Sequence, residues 1–146
     1  MYSYDAKGKG NIMKRDTVKQ GERSEMMFAH ECMIEHGYSV SWPQTTEDYD
    51  LIVDANNKLY KVQVKSSAKG NGNVNICKGT NGHSGLSKYP YPIEGVDFFA
   101  VHDIVHESWY MIPRSATGDV MNIRLALKRK GKYTPYKDNW KFIALP

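Results

Sequence analysis

Cysteine is scarce in this sequence, and long apolar runs are missing from it. The two cysteines, Cys32 and Cys77, have neither the density of a secreted disulfide scaffold nor the paired spacing of a zinc site, so a reducing compartment is expected. No apolar run approaches the roughly 20 residues that cross a bilayer. The N-terminal stretch MYSYDAKGKGN also lacks the apolar core of a signal peptide. These absences predict a protein of the cytoplasm that has no membrane partner.

Charge is only mildly unbalanced over the whole chain, but its C-terminal part is strongly basic. The formal net charge of +4 favours a polyanionic partner only weakly. After residue 113, only Asp119 and Asp138 oppose a series of cations. These cations are Arg114, Arg124, Lys128, Arg129, Lys130, Lys132, Lys137 and Lys141. Such a distribution suits the phosphate backbone of a nucleic acid.

The chain has 146 residues, which is enough for one domain with a sizeable core and too few for two ordinary domains. We therefore expect a single domain over residues 1–146. Three segments differ from the rest in composition: a loose basic arm over 1–15, an extended loop or hairpin over 68–95, and a basic tail over 114–146. Aromatic residues are interleaved with the charges of the tail, and we expect them to pack on the core. They are Tyr133, Tyr136, Trp140 and Phe142.

A helix is predicted over residues 16–36. Apolar residues recur there at helical spacings, and Gly37 provides the stop. Glu25 shares one face of this helix with Ala29 and Cys32. The spacing therefore places a carboxylate at the N-terminal end of a largely buried stripe.

Short alternating or apolar stretches, separated by turn residues, predict the strands of the fold. They lie at 38–42, 50–54, 59–67, 73–78, 96–102, 108–113 and 122–127. One helix followed by strands of this length is typical of a mixed α/β fold.

The stretch YDLIVDANNKLYKVQVKSS, from 49 to 67, indicates two strands joined by an asparagine-rich turn. Asp50 enters the first strand, and Gln63 and Lys65 stand two apart on the second, so these two side chains share a face. An acid, an amide and a lysine together suggest a metal site with an electrostatic helper. Asp54 shares the face of Asp50, but its place beside the turn favours a simple turn residue.

These residue types suit the hydrolysis of a phosphodiester. The reaction needs a metal that neutralises charge and activates water, together with a cation near the phosphate. Asp50 would anchor Mg²⁺ or Mn²⁺, and the oxygen of Gln63 and the carbonyl of Val64 would fill further ligand positions. Glu25 could reach in from the helix. Lys65 would supply a compact positive charge.

Two groups of histidines and neighbouring residues invite a functional interpretation that their spacing does not support. His30, Cys32 and His36 all lie on the predicted helix, but His30 and Cys32 are two apart and face different ways, which favours core and surface positions over a metal site. His102 and His106 flank a turn between strands. A solvated pair is the favoured interpretation there, since a functional pair would need a nearby acid such as Asp103.

Polar residues of the long excursion are candidates for contacts with DNA. Lysines would meet phosphates, and asparagine or serine side chains would meet base edges. Ordinary solvation of a loop explains each residue equally well when it is taken singly. The candidates are Lys69, Asn73, Asn75, Lys78, Ser84 and Lys88.

The order Glu25, Asp50, Gln63-Val64-Lys65 resembles that of the PD-(D/E)-XK nucleases, in which a helix glutamate precedes an acid on one strand and an acid-x-lysine on the next. The finer resemblance is to the small bacterial and cyanobacterial intron homing endonucleases that use Gln-x-Lys. The segments that carry it are 37–38, 49–52, 62–66, 96–101 and 109–113. The resemblance implies a restriction-endonuclease-like core, in which a central mixed β-sheet is flanked by helices, and magnesium-dependent cleavage of nucleic acid.

The function that this resemblance implies is site-specific, double-strand DNA cleavage of the homing type, in a bacterium or a phage-infected host cell. One chain offers one site and a duplex has two strands, so at least a dimer is expected, and the relatives imply a tetramer. Two alternatives stay open. One is a nuclease that resolves Holliday junctions. The other is a decayed protein that only binds DNA, because the neutral Gln63 stands where an acid is the norm.

Overall fold

The computed structural model describes residues 9–82 and 85–145, with side chains over 17–79 and 87–145. Helix α1, Lys9–His30, continues into a single π-helical turn, Glu31–Glu35. The predicted helix is confirmed, but it begins before residue 16, so residues 9–15 of the predicted loose arm are helical; residues 1–8 of that arm lie outside the described residues. Gly37 ends the helical region with a φ of 68°, a conformation that glycine adopts without strain.

Nine strands follow in the described part of the chain. They are β1 (Ser39–Ser41), β2 (Leu51–Ala55), β3 (Lys58–Ser67), β4 (Asn73–Asn75), β5 (Cys77–Gly82), β6 (Gly85–Pro90), β7 (Phe98–Asp103), β8 (Ser108–Pro113) and β9 (Asn122–Arg124). Five of them form the central sheet in the order β1-β2-β3-β7-β8. Strands β3 and β7 are parallel, and the other neighbours are antiparallel. The predicted mixed central sheet is therefore confirmed.

The hairpin of β2 and β3 places the residues that the sequence singled out. Its turn consists of Asn56 and Asn57, both with positive φ, which asparagine tolerates better than most residues. Beyond the strand itself, the amide of Asp50 donates to the carbonyl oxygen of Val62 at 2.9 Å. Asp50 is thereby held beside the middle of β3.

Both faces of the sheet bury apolar side chains, which is the main source of stability. On one face α1 packs through Phe28 and Ala29, and its π-helical extension packs through Cys32; all three are fully buried. On the opposite face, β4 and β9 form a two-stranded ribbon that contributes Val74 and Ile123 to a second cluster. In the described part of the chain, one long helix and Phe142 of the tail thus cover the first face, while the ribbon and the tail residues Tyr133 and Tyr136 cover the second.

The excursion over 68–95 contains strands rather than an irregular loop. The predicted strand over 73–78 is divided, because β4 pairs with β9 whereas β5 pairs with β6 to form a separate hairpin. Between them, the amide of Ile76 donates to the carbonyl of Met121 at 2.9 Å. Strand β9 is also shorter than the predicted 122–127. No helix in the described part of the chain is long and apolar enough to cross a membrane.

The aromatic residues of the tail pack into the cores, as predicted: Tyr133, Tyr136 and Phe142 are buried and Trp140 is half-buried.

Arg114 was predicted to be one of the phosphate-binding cations of the tail, and this prediction is wrong. Its side chain is 2% exposed and stabilises the fold instead. Its guanidinium donates to the carbonyl oxygens of Tyr91 at 2.8 Å and Gly118 at 2.9 Å. Buried groups of this kind are retained when their donors are satisfied. The other cations of the tail, from Arg124 onward, are exposed.

Candidate active site

Asp50 immediately precedes β2 and turns its carboxylate toward β3. Its Oδ2 accepts a hydrogen bond from the amide of Val64 at 2.9 Å, and the side chain of Gln63 donates another. Burial raises the pKa of Asp50, while the Val64 amide, the charge of Lys65 and the Gln63 hydrogen bond oppose that rise. The predicted acid, amide and lysine therefore lie together.

Lys65 is half-buried, and its ammonium group has a defined partner. Nζ donates to the phenol oxygen of Tyr91 at 2.9 Å and lies 5.0 Å from the centroid of that ring. Burial lowers the pKa of Lys65, and the negative charge of Asp50 counteracts the lowering. Burial, and then the charge of Asp50, raise the pKa of Tyr91, so its phenol remains neutral. The lysine is thus held between an acid and a neutral hydroxyl.

Helix α1 brings Glu25 within electrostatic range of Asp50. The indole Nε1 of Trp42 donates to Oε1 of Glu25 at 3.0 Å. Burial raises the pKa of Glu25, and the negative charge of Asp50 raises it further. The two carboxylates are therefore close enough to repel each other, which is the arrangement that a bound cation stabilises.

The oxygen atoms of the site suit a hard divalent cation such as Mg²⁺, although few of them carry a negative charge. Within the described residues, no three His, Cys, Asp or Glu side chains come together as metal ligands. Two carboxylates, Asp50 and Glu25, are present, and Mg²⁺ is commonly bound through one or two. The amide oxygen of Gln63 and the main-chain carbonyl of Val64 are neutral oxygen donors of the kind that could complete the coordination.

A cleft of about 880 Å³ opens beside Lys65, between α1, β3 and the β4–β9 ribbon. Three of the six residues predicted to contact DNA line this cleft, namely Lys69, Asn73 and Asn75. The structure places two of the others away from this cleft, and the third is not described. Lys78 forms an ion pair with Asp48, Lys88 is exposed on β6, and Ser84 lies outside the described residues.

His102 and His106 do not form the solvated pair that their spacing favoured. His102 is 4% exposed, stacks on Trp109 with 4.2 Å between the ring centroids, and brings Nδ1 to 2.9 Å from the hydroxyl of Ser24. His106 pairs through Nδ1 with the buried carboxylate of Asp103 at 2.8 Å. Each ring has its own structural partner, because β7 points His102 into the core beneath α1.

The remaining minor predictions agree with the structure. Asp54 is exposed beside the hairpin turn, His30 is exposed, and Cys32 is buried.

Three residues of the site were missed by sequence reasoning: Tyr91, Trp42 and Ser24. Tyr91 stands between Pro90 and Pro92, whose restricted backbones were interpreted only as a turn signal. Ser24 stands four residues before the buried Phe28, so helical spacing could have placed its hydroxyl on the packed face. Trp42 follows β1, and no local signal in the sequence connects it to Glu25.

Comparisons with known proteins show a family and a fold to which the chain is similar. A family model described as PD-(D/E)XK endonuclease matches residues 15–143. The solved structure of a bacterial homing endonuclease, I-Ssp6803I, is similar at 25% identity with a TM-score of 0.74, covering 85% of this chain and 90% of that chain. The structure of MepB aligns at 14% identity with a TM-score of 0.37, covering 81% of this chain and 91% of that chain. No match was found among curated proteins.

Proposed function

The chain belongs to the PD-(D/E)XK endonuclease family, and on that premise we propose that it is a magnesium-dependent endonuclease that cuts double-stranded DNA at specific sites. The observation that carries the proposal is the cluster of Asp50, Gln63 and Lys65 beside Glu25. Homing-type specificity is supported by the similarity to I-Ssp6803I, which is described as a bacterial homing endonuclease.

Asp50, Glu25, the amide oxygen of Gln63 and the carbonyl of Val64 would hold Mg²⁺, or Mn²⁺ in its place. When bound, such an ion neutralises charge on the scissile phosphate and makes water a better nucleophile. Glu25 has a raised pKa and a fixed indole partner. It would orient the attacking water or act as a further ligand.

Lys65 would stabilise the negative charge that develops on the phosphate in the transition state. Its ammonium is preorganised, because Tyr91 accepts one of its hydrogen bonds and Asp50 lies near it. Charges that are already oriented in a partly dehydrated site cost little reorganisation during the reaction.

The DNA would follow the cleft beside Lys65, where Lys69, Asn73 and Asn75 offer one cation and two amides. Lys78 and Lys88, on the β5–β6 hairpin, would contact the duplex farther away, and Ser84, predicted from the sequence as a further contact, lies outside the described residues. These contacts are the part of the proposal that rests on the sequence most directly.

The active form is proposed to be at least a dimer, and a tetramer is expected from the family resemblance. One chain presents one cluster, whereas a double-strand break needs two. A group of exposed apolar side chains on α1 and its π-helical extension, namely Met26, Met27, Met33 and Ile34, offers a surface for self-association. Light scattering during size-exclusion chromatography measures the assembly directly.

The decisive experiment is cleavage of a genomic DNA pool, a supercoiled plasmid and a four-way junction in the presence of Mg²⁺. We expect linear sites to be cut and Lys65→Ala to lower the rate by about 100-fold or more. Lys58→Ala, an exposed lysine on the same strand, is the matched control and should behave like the parent. A parent that cuts none of the three, or a Lys65→Ala variant equal to the parent, would contradict the proposal. Preferential cutting of the junction would instead favour a resolving nuclease.

The neutral Gln63 favours a second candidate function, namely a decayed protein that only binds DNA. A magnesium titration of Gln63→Glu against the parent separates the two. In a working parent, the added carboxylate should lower the Mg²⁺ concentration needed for half-maximal rate, because ligand charge raises metal affinity. Gln44→Glu, at an exposed position, controls for charge alone. An inert parent that gains activity through Gln63→Glu would establish the decayed alternative.

A further inference from the structure

The β4–β9 ribbon presents one apolar and one polar face. Antiparallel pairing sets Asn73 opposite Arg124, Val74 opposite Ile123, and Asn75 opposite Asn122. Alternation along each strand separates these pairs. Val74 and Ile123 are buried in the second core cluster, whereas the other four side chains are all exposed. The polar face therefore consists of three amides and one guanidinium.

The composition of this polar face is not explained by strand stability. Asparagine is depleted in strands because its side chain competes with the backbone for hydrogen bonds. The ribbon is stabilised instead by its buried face and by its ends. Beyond one end, the amide of Leu125 donates to the carbonyl of Gly72 at 2.8 Å. Gly72 has a φ of 79°, and a Cβ there would lie 2.4 Å from the carbonyl oxygen of Leu125. Only glycine fits this position without strain.

The ribbon lies between two clefts of similar size. Asn73, Asn75 and Asn122 line the cleft that contains Lys65. Arg124 lines a second cleft of about 840 Å³, together with a basic loop over 128–132. Asn71 lines both clefts, so they adjoin. Within the described residues, no acidic side chain lines either one.

The basic loop differs from the ribbon in its chemistry. It carries Lys128, Arg129, Lys130 and Lys132 within five positions, all exposed. Flexible cations of this kind neutralise phosphates without distinguishing sequences. The amides of the ribbon bring no charge to a phosphate, but each offers a donor and an acceptor that match the edge of a base.

We propose that the polar face of the β4–β9 ribbon enters the major groove of the DNA substrate and reads base edges there, with Arg124 and Asn122 as specificity-determining residues. The inference rests on the proposed function. A two-stranded ribbon fits a major groove, in which arginine pairs with guanine through two hydrogen bonds and asparagine pairs with adenine in the same way. The basic loop holds the adjoining phosphates. With the ribbon in the groove, the sugar-phosphate backbone of the DNA reaches the cleft beside Lys65.

The test measures binding without metal, so that cleavage plays no part. The full-length parent, Arg124→Ala, Asn122→Ala and Lys130→Ala are each used in EDTA to select binding sites from randomised duplex DNA. We expect Arg124→Ala to lose the preference for guanine at one position of each half-site by about 5- to 100-fold. Dimethyl sulfate interference, which reports guanine N7 in the major groove, should disappear at that position. Asn122→Ala should relax an adenine position in the same way.

Lys130→Ala should weaken binding to all sequences alike. It should also reduce the slope of the logarithm of the binding constant against the logarithm of salt concentration by about one. The side chains of Asn122 and Arg124 are exposed. Thermal melting should therefore show that both variants fold like the parent. The inference is overturned if the parent binds all sequences equally, or if Arg124→Ala and Asn122→Ala leave the base preferences unchanged. A parent that binds specifically in EDTA but does not cut in Mg²⁺ would refute only the proposed nuclease activity.

Discussion

The hydroxyl of Ser66 donates a hydrogen bond to the hydroxyl of Ser24 at 2.9 Å, which joins β3 to helix α1. Ser24 also lies 2.9 Å from Nδ1 of His102 on β7. The two serines are the chain neighbours of Lys65 and Glu25. This partly buried link therefore helps to set the position of the strand that carries Lys65 relative to the helix that carries Glu25.

Ser24→Ala is expected to cost about 1–3 kcal/mol of unfolding free energy, because it leaves the buried His102 and the half-buried Ser66 without their hydrogen bonds to Ser24. It should also lower the rate of cleavage at temperatures where the variant is fully folded. Urea denaturation and cleavage assays measure the two effects. Ser39→Ala, at an exposed position on β1, is the control. A variant as stable as the parent would show that the network contributes little.

Tyr91→Phe removes the acceptor of the Lys65 hydrogen bond and keeps the ring. Hydrogen bonds to charged groups contribute about 1.5–3 kcal/mol, so a cleavage rate lower by about 10-fold or more is expected at saturating DNA. The matched control is Tyr89→Phe, whose ring is 39% exposed and faces Lys78. Equal rates for Tyr91→Phe and the parent would mean that the phenol does not position Lys65.

Asp50→Asn tests the cost of burying a charge in the site. The folded protein raises the pKa of Asp50 above 3.8. Between 3.8 and that raised pKa the folded state binds more protons than the unfolded state, so the stability of the parent falls as pH rises through this window. In EDTA, the melting temperature of Asp50→Asn relative to the parent should therefore increase with pH and reach its maximum by neutral pH.

Magnesium should reverse this order at neutral pH, since a ligand that binds the folded state stabilises it and the variant has lost an anchoring carboxylate. Calorimetry with and without Mg²⁺ measures both effects. Asp54→Asn, exposed beside the hairpin turn, should track the parent under all conditions. If Mg²⁺ stabilised Asp50→Asn as much as the parent, Asp50 would not be a ligand.

Phe142→Ala tests whether the tail is part of the core. Phe142 is 3% exposed, and its ring centroid lies 5.1 Å from that of Tyr60 and 5.2 Å from that of Phe98. Removing a buried phenylalanine side chain costs about 3–5 kcal/mol. Chemical denaturation should show a loss of this size, whereas Ile143→Ala, at a 50% exposed position, should stay within about 0.5 kcal/mol of the parent. A small loss for Phe142→Ala would indicate that the tail is dispensable.

Local patterns predicted much of the fold. The β2–β3 hairpin followed from alternation and two asparagines, and β8 lies at the predicted residues. The division of the stretch after residue 73 could not be predicted, because it depends on two different partner strands, β9 and β6. The burial of Arg114 escaped prediction for a similar reason. Its acceptors include the carbonyl of Tyr91, 23 positions away.

The sequence by itself determined the arrangement of Gln63 and Lys65, because the two-residue period of a strand gives them one face wherever the strand packs. The order of Glu25, Asp50 and this pair carried the family resemblance. Tertiary structure alone decided what surrounds Lys65: the phenol of Tyr91 is 26 positions away, and the link between Ser24 and Ser66 spans 42. The pairing of β4 with β9 likewise assembles a polar surface from two distant segments. Such contacts depend on how the whole chain closes, which no local period encodes.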